Sequence, residues 1–230
     1  MSEQTTEVQP KKIDQPKTEK PTIQKRESDL LISEAILKES GYQTGTEEFK
    51  NARRRFAENR KELKVIAFTD KRTGLYNREG FNVRLAEEIS KAKKVKELTD
   101  KEFQISLVYL DLDGLKDIND THGHSAGDVY LKKFGELLKR NTRTNDIAAR
   151  IGGDEFILVL PGTTVEKTIQ FWNQRLNPSI ESEEIRVSAG VVQLDLDSPN
   201  KSIELADESM YKAKELSKQT GKNQIKHGDN

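Results

Sequence analysis

The sequence has no cysteine, which excludes disulfide bonds, thiolate metal sites and cysteine nucleophiles. Charge of one sign is not in excess either. The 39 lysine and arginine residues balance 39 aspartate and glutamate residues, so no global basic field points to nucleic acid or an anionic membrane. No apolar run approaches the roughly 18 residues of a membrane span, and the N-terminus has no apolar signal-peptide core. We therefore expect a cytoplasmic protein that neither binds nucleic acid nor spans a membrane.

Hydrophobic residues are also scarce, at 33% against 34% charged residues, so the folded core is expected to be modest for a chain of 230 residues. Residues 1–27 are polar and carry three prolines, which predicts a disordered tail. Residues 28–65 are predicted to form a helical stalk or linker, and residues 66–230 the main domain. The longer stalk helix, over 46–68, has an irregular apolar stripe, so it is equally compatible with dimerisation and with packing on the domain.

The sequence Gly152-Gly153-Asp154-Glu155 lies between two short apolar runs. Two glycines between such runs predict a tight β-hairpin that lifts the two carboxylates to the edge of a sheet. By itself the motif is weak evidence for a metal site, because glycine and aspartate also dominate ordinary turns.

A second source of carboxylates lies upstream, where a continuous apolar run from Ile105 to Leu110 ends in Asp111 and Asp113. Such a run predicts a strand buried on both faces, with the acids at its exposed end. Mg²⁺ takes one or two protein carboxylates and fills its remaining positions with water and substrate phosphate. Asp111 and Asp154 together suit that demand, although either motif alone would be read as an ordinary solvated turn.

The alternation of short apolar strands with helical patterns predicts an α/β fold that contains an antiparallel hairpin. The predicted helices cover 78–95, 125–140, 164–175 and 202–218, the hairpin covers 147–160, and further strands cover 104–111, 184–193 and 223–227.

Taken in order, the motifs resemble the GGDEF family of diguanylate cyclases over roughly residues 66 to 226. The matching segments are Asp70 to Arg78, Asp111 to Asp128, the signature loop Gly152 to Phe156, Val187 to Val191, and Ala206 to Lys214. The resemblance implies a mixed central β-sheet flanked by helices, similar to nucleotidyl cyclases and polymerase palms. It also implies condensation of two GTP into cyclic di-GMP and two pyrophosphates by a homodimer. A noncatalytic module that binds cyclic di-GMP or GTP as a sensor is the alternative.

The resemblance also implies roles for the residues of the signature loop and of the strand end. Asp111, the backbone carbonyl of Leu112 and Asp154 would hold Mg²⁺, or Mn²⁺ in its place, on the triphosphate. Glu155 would support the metal directly or through hydrogen bonds. Gly152 and Gly153 would let the backbone pass close to the nucleotide. No side chain stands out as the general base.

Phosphate binding is expected from Lys116 and from the backbone amides of Gly114 and Leu115, which open a turn or a helix with free N–H groups.

The last helix departs from the family pattern, because four additional residues separate Lys214 from the following glycine motif. Lys218 then lies one helical turn beyond Lys214, and either lysine could reach phosphate. Lys222 replaces the expected arginine, which keeps the charge and loses the bidentate fork.

Guanine presents N1–H and an exocyclic amine, a donor pair that one carboxylate can accept and that adenine lacks. By the resemblance, Asp128 supplies this carboxylate and Asn119 shares the guanine edge, so GTP should be preferred over ATP. Alternatively, Asp128 could interact only with a helix dipole and Asn119 could cap a helix end. His124 is expected to hold the nucleotide loop. Arg72 stands where the family usually has leucine.

Arg143 and Asp146 have the spacing of the family's inhibitory Arg-x-x-Asp site, which would bind cyclic di-GMP as product. An ordinary helix-to-strand loop is the alternative for this tetrapeptide.

Overall fold

The computed structural model describes residues 43–44 and 46–228, without the side chains of 56, 57 and 59–65. The predicted tail over 1–27 lies outside these residues, as does the first part of the predicted stalk, over 28–42. The chain divides into two compact units after Thr69. In the first unit, helix α1 runs from Glu47 to Phe68. The Thr46 hydroxyl accepts from the Phe49 amide, 3.2 Å away, and thereby caps a free N–H group at the start of α1.

The second unit is a five-stranded sheet with helices on both faces. Its helices are α2 (Arg78–Thr99), α3 (Leu115–His122), α4 (His124–Asn141), α5 (Val165–Phe171), α6 (Asn177–Ser182) and α7 (Pro199–Thr220), with a π-helical segment at Trp172–Leu176 between α5 and α6. Its strands are β1 (Ile105–Leu112), β2 (Ile147–Arg150), β3 (Glu155–Pro161), β4 (Val187–Gln193) and β5 (Gln224–His227).

Strand β1 lies in the middle of the sheet, in the order β2-β3-β1-β4-β5. It pairs antiparallel with both β3 and β4, and β5 adds in parallel to β4. All eight residues of β1 are buried, because successive side chains enter the two cores on opposite faces of the sheet. This burial explains the continuous apolar run in the sequence.

Each face of the sheet has its own core. Helix α4 and the stretch from α5 to α6 cover one face, and α2 and α7 cover the other. Helix α7 lies very close to β4 at Gly190, where an added Cβ would come within 2.0 Å of the Ala206 carbonyl and 2.3 Å of the Met210 amide nitrogen. Only glycine at this position allows so close an approach of helix and strand.

The predicted mixed sheet with flanking helices is confirmed. The details differ at two places. The helix expected over 164–175 continues through the π-helical segment into α6, and an additional short helix, α3, lies between two glycines, Gly114 and Gly123, with φ of 80° and 81°. Helix α3 is polar and only eight residues long, so it has little of the apolar periodicity that reveals a helix in a sequence. No helix in the part of the chain that is described is long and apolar enough to cross a bilayer.

Candidate active site

Asp111 lies at the end of the central strand and is only 7% exposed. In the sheet register it stands between Glu155 of β3 and Ser188 of β4. Its carboxylate oxygen Oδ1 accepts from Nζ of Lys214 at 2.7 Å. Because Asp111 points to the face that α7 covers, a lysine about four turns along that helix can reach the strand end.

The electrostatics of Asp111 are those of a crowded acidic site. Burial, together with the neighbouring Asp154 and Asp113, raises its pKa to about 6 against the hydrogen bond and charge of Lys214. Burial opposes ionisation of Lys214, yet Asp111 and the other two acids hold the pKa of this lysine above its usual value. Asp113 is fixed in turn by the Ser188 hydroxyl, which donates to its Oδ2 at 2.8 Å. Asp111 and Asp113 thus share one cation, Lys214, while the charge of Asp154 adds to theirs, so the site attracts a further positive charge.

The signature loop forms the turn of the β2–β3 hairpin, as predicted. The Ile151 amide donates to the Glu155 carbonyl at 2.9 Å, and the Leu112 amide donates to the Asp154 carbonyl at 2.8 Å, which joins the turn to the end of β1. An added Cβ at Gly152 would lie 2.0 Å from Glu155 Oε2. The Glu155 side chain thus folds over Gly152, and a larger residue at this position would require that side chain to move.

Arg150 clamps this turn from one side and is 8% exposed in its side chain. Its Nη2 donates to the Gly153 carbonyl at 2.7 Å and its Nη1 to Asp70 Oδ2 at 3.1 Å. Burial raises the pKa of Asp70, but hydrogen bonds from Thr73 and the Arg150 charge outweigh it and hold this pKa below its usual value. The first motif of the sequence thus braces the hairpin that carries Asp154.

Tyr109 supports the same turn from the strand side. It lies two residues before Asp111, on the same face of β1, and is 4% exposed. Its hydroxyl donates to Glu155. Burial, followed by the charges of Glu155 and Asp207, raises the pKa of this phenol, so it remains a donor.

Asp111 and Asp154 fit a magnesium ion that arrives with a triphosphate. Within 43–44 and 46–228, no three His, Cys, Asp or Glu side chains cluster as metal ligands. Mg²⁺ does not require such a cluster, because one or two carboxylates suffice when water and phosphate oxygens complete the octahedron. Two hard oxygen donors at a crowded acidic strand end meet this requirement.

Residues expected at the guanine come together near the start of α4. Asn119 lies against Gly127, where an added Cβ would be 2.0 Å from Asn119 Oδ1. The next residue, Asp128, lies in the second turn of α4, and no acid lies in the first turn, so interaction with the helix dipole does not account for it. Its Oδ1 is instead 2.6 Å from Nε of Arg72. His124, the first residue of α4, is exposed.

The residues expected at phosphate separate into two groups. Gly114 and Leu115 begin α3, whose first amides have no partner within the helix, and Lys116 is exposed there. On α7, Lys214 contacts Asp111, whereas the exposed Lys218 pairs with Glu215 at 2.8 Å. The exposed Lys222 lies just beyond the helix end.

Arg143 and Asp146 form a loop that is closed on itself. The Arg143 amide donates to Asp146 Oδ2 at 2.7 Å, and the Asp146 amide donates to the Arg143 carbonyl at 3.1 Å. Burial raises the pKa of Asp146 against the effect of Arg143. The Arg143 side chain is exposed.

Several contacts of the site were not anticipated from the sequence. In the sequence Tyr109 stands out only as part of an apolar strand, although its spacing of two from Asp111 places both residues on one face. The pair of Arg150 with Asp70 and the pair of Arg72 with Asp128 have no such signal, because each joins residues far apart in the sequence.

Comparisons with known proteins agree with this geometry. The sequence profile of the family described as "Diguanylate cyclase, GGDEF domain" matches residues 67–223. The chain is 36% identical over 177 residues to the uncharacterized protein YhcK of Bacillus subtilis, and this match covers 72% of this chain and 46% of that protein. It is also 35% identical over 137 residues to diguanylate cyclase A of Treponema denticola, and this match covers 55% of this chain and 36% of that protein. The chain thus spans less than half the length of these two relatives.

Among solved structures, the fold is similar to that of the coiled coil and GGDEF domain of DgcB from Caulobacter crescentus in complex with c-di-GMP. The TM-score is 0.65 at 23% sequence identity, and the match covers 88% of this chain and 99% of that chain. At this identity the likeness shows a shared fold.

Proposed function

This chain belongs to the GGDEF domain family, and from that premise we propose that it is a diguanylate cyclase that condenses two GTP into cyclic di-GMP and two pyrophosphates. The observation that carries the proposal is the strand end. There the buried Asp111 shares Lys214 with Asp113, and the charge of Asp154 raises the pKa of Asp111. This arrangement suits a cation bound to a triphosphate better than it suits a purely structural turn.

In each of two steps, the 3′ hydroxyl of one GTP attacks the α-phosphorus of the other. A phosphorus–oxygen bond forms, the bond from the α-phosphorus to the oxygen bridging to the β-phosphorus breaks, and pyrophosphate leaves. A bound Mg²⁺ would neutralise phosphate charge and orient the α-phosphorus. Asp111, the Leu112 carbonyl and Asp154 would hold it, with Mn²⁺ as a possible substitute.

The side chains and backbone amides of the protein would position the nucleotide and the hairpin. Lys116 and the first amides of α3 would bind the phosphates, and Asp128 with Asn119 would select the base. Tyr109 and Arg150 would keep the hairpin in place, because each bonds to a different part of the turn.

The reaction needs two GTP, and the family's domains bind one each. Two copies of the chain must therefore face each other, so we propose that a homodimer is the active species.

A noncatalytic sensor of cyclic di-GMP or GTP is the second candidate, and the lysines in and just after α7 favour it. Of the four lysines expected at phosphate, Lys214 already contacts Asp111, Lys218 pairs with Glu215, and Lys222 lies beyond the helix end without the bidentate fork of the family's arginine. The phosphates would then depend on fewer cations than in the family pattern. In a sensor, the exposed Arg143 with Asp146 would bind cyclic di-GMP.

The test is to incubate the purified chain with GTP and Mg²⁺ at several protein concentrations and to resolve the products chromatographically. We expect cyclic di-GMP and pyrophosphate, with a rate that rises more than linearly with protein concentration because the dimer is active. Asp154→Ala should abolish product formation, whereas Lys167→Ala, an exposed position on α5 beyond the opposite end of β3, should not.

The sensor replaces the cyclase if no product forms at any concentration, cyclic di-GMP binds, and Arg143→Ala removes that binding. Both candidates fail if neither GTP nor cyclic di-GMP binds to a folded protein.

A further inference from the structure

Arg72 and Asp128 form an ion pair at the place where the guanine base is expected. Arg72 Nε lies 2.6 Å from Asp128 Oδ1, and the two side chains are 55% and 49% exposed. Arg72 belongs to the loop before α2, and Asp128 to the second turn of α4. The pair therefore joins two distant segments at an open part of the surface, where a ligand can approach both side chains.

The chemistry of the pair is complementary to one edge of guanine. That edge carries, in order, the O6 acceptor, the N1–H donor and the exocyclic amine donor. Asp128 can accept from the two donors, and a guanidinium beside it can donate to O6. Arg72 has five N–H donors in a planar fork and uses Nε on Asp128, so its terminal nitrogens can serve a second acceptor. Adenine presents the reverse order, an amine donor beside an acceptor nitrogen, which mismatches both side chains.

We propose that Arg72 is a specificity-determining residue of the base site, which donates to O6 of a 6-oxopurine nucleotide while it holds the Asp128 carboxylate in position. The inference rests on the proposed function, because it requires that the nucleotide enters this site. It assigns to Arg72 a contact that leucine, the usual residue of the family at this position, cannot make.

The test compares equilibrium binding of three unreactive nucleotides, the α,β-methylene analogues of GTP, ITP and ATP, to the full chain with Mg²⁺. Wild type is compared with Arg72→Leu, Arg72→Lys and the matched control Lys71→Leu, which removes the adjacent exposed cation of the same loop.

Arg72→Leu should weaken binding of the GTP and ITP analogues equally, by about fivefold to tenfold, because both carry O6 and only GTP carries the exocyclic amine. Binding of the ATP analogue should not change. Arg72→Lys should lose most of the same selectivity, because an ammonium cannot span two acceptors as the fork does. Lys71→Leu should affect all three nucleotides alike and by less than about twofold.

Three outcomes would overturn the inference. Tighter binding of the GTP analogue to Arg72→Leu would mean that Arg72 competes with guanine for Asp128. An equal loss for all three analogues would indicate a contact with phosphate. If the wild type prefers the GTP analogue and Arg72→Leu binds the three analogues as the wild type does, Arg72 has no part in the base site, and the proposed function is unaffected. If the wild type binds none of the analogues, the proposed function itself fails.

Discussion

Asp111 is 7% exposed and hydrogen-bonded to a lysine of another element, whereas the Asp128 side chain is 49% exposed and pairs with Arg72 across open surface. We call the strand-end acids with Lys214 the metal side, and Arg72, Asn119 and Asp128 the base side. On the metal side, burial raises the pKa of Asp111 to about 6, so the fold itself works against the charge that the proposed function requires. On the base side, water screens the charges and little folding energy depends on them. The metal side is therefore tied to the packing of the domain, and the base side can change with little cost to the fold.

The largest effect is expected from Asp111→Asn, which keeps the shape of the side chain and removes its charge. We expect cyclase turnover to fall roughly a thousandfold, because the carboxylate that would hold the metal is lost. The free energy of unfolding at pH 7 should not fall, since the pKa of Asp111 is raised and the folded state disfavours its ionised form. Product formation and urea denaturation measure the two effects.

The matched change on the base side is Asp128→Asn. It should alter the free energy of unfolding by less than about 0.5 kcal/mol and reduce selectivity for GTP over ATP. The contrast between the two sides would be contradicted if Asp128→Asn lost much stability, or if Asp111→Asn kept the turnover of the wild type.

A second test acts on the metal side through packing alone. Gly190→Ala places a Cβ against the backbone of α7, the helix that carries Lys214, and should cost about 3 kcal/mol of unfolding free energy because backbone atoms cannot move aside. Gly153→Ala is the control, because its Cβ would meet no atom within 4 Å, and it should cost less than about 1 kcal/mol. Equal urea midpoints for the two variants would contradict this account of the α7 contact.

A third test concerns the clamp on the hairpin. Arg150→Met leaves Asp70 without its cation and should destabilise the protein by about 2 kcal/mol at pH 7, since the arginine side chain is 8% exposed. Arg140→Met, which breaks the exposed pair with Glu183, should cost less than about 1 kcal/mol.

The Arg150 effect should depend on pH. The folded-state pKa of Asp70 lies below its usual value of 3.8, so its stabilisation is present above that pH and is lost as the pH falls through the lower folded-state pKa. The difference between wild type and Arg150→Met should therefore shrink below about pH 3.8, and a difference that stayed constant to lower pH would exclude Asp70 as the relevant partner.

Among the contacts that hold the hairpin, the smallest effect is expected from Tyr109→Phe, which removes only the hydroxyl that donates to Glu155. The cost should be about 1 kcal/mol, because Glu155 is partly exposed and water can replace the lost donor. Tyr211→Phe is the control at a tyrosine that is 58% exposed, and thermal unfolding should not distinguish it from wild type.

Much of the fold could be predicted because its signals are local. The apolar run of β1 predicts a doubly buried strand, and the two glycines before Asp154 predict the hairpin turn. Helix α3 and the π-helical segment were missed as elements, because the first is short and polar and the second continues a helical pattern with only a change of pitch.

In the candidate site, too, local features could be predicted from the sequence and contacts between distant segments could not. The sequence by itself predicted which residues would carry the chemistry, since the strand-end and turn acids follow from local patterns and the family motifs supply their order. Only the tertiary structure decided their partners, such as Arg150 for Asp70 and Arg72 for Asp128. Lys214 and Lys218 stand one turn apart on the same helix and were equal candidates in the sequence. The close packing of α7 on β4 at Gly190 fixes the position of that helix, so that Lys214 reaches Asp111 and Lys218 lies beyond it, paired with Glu215.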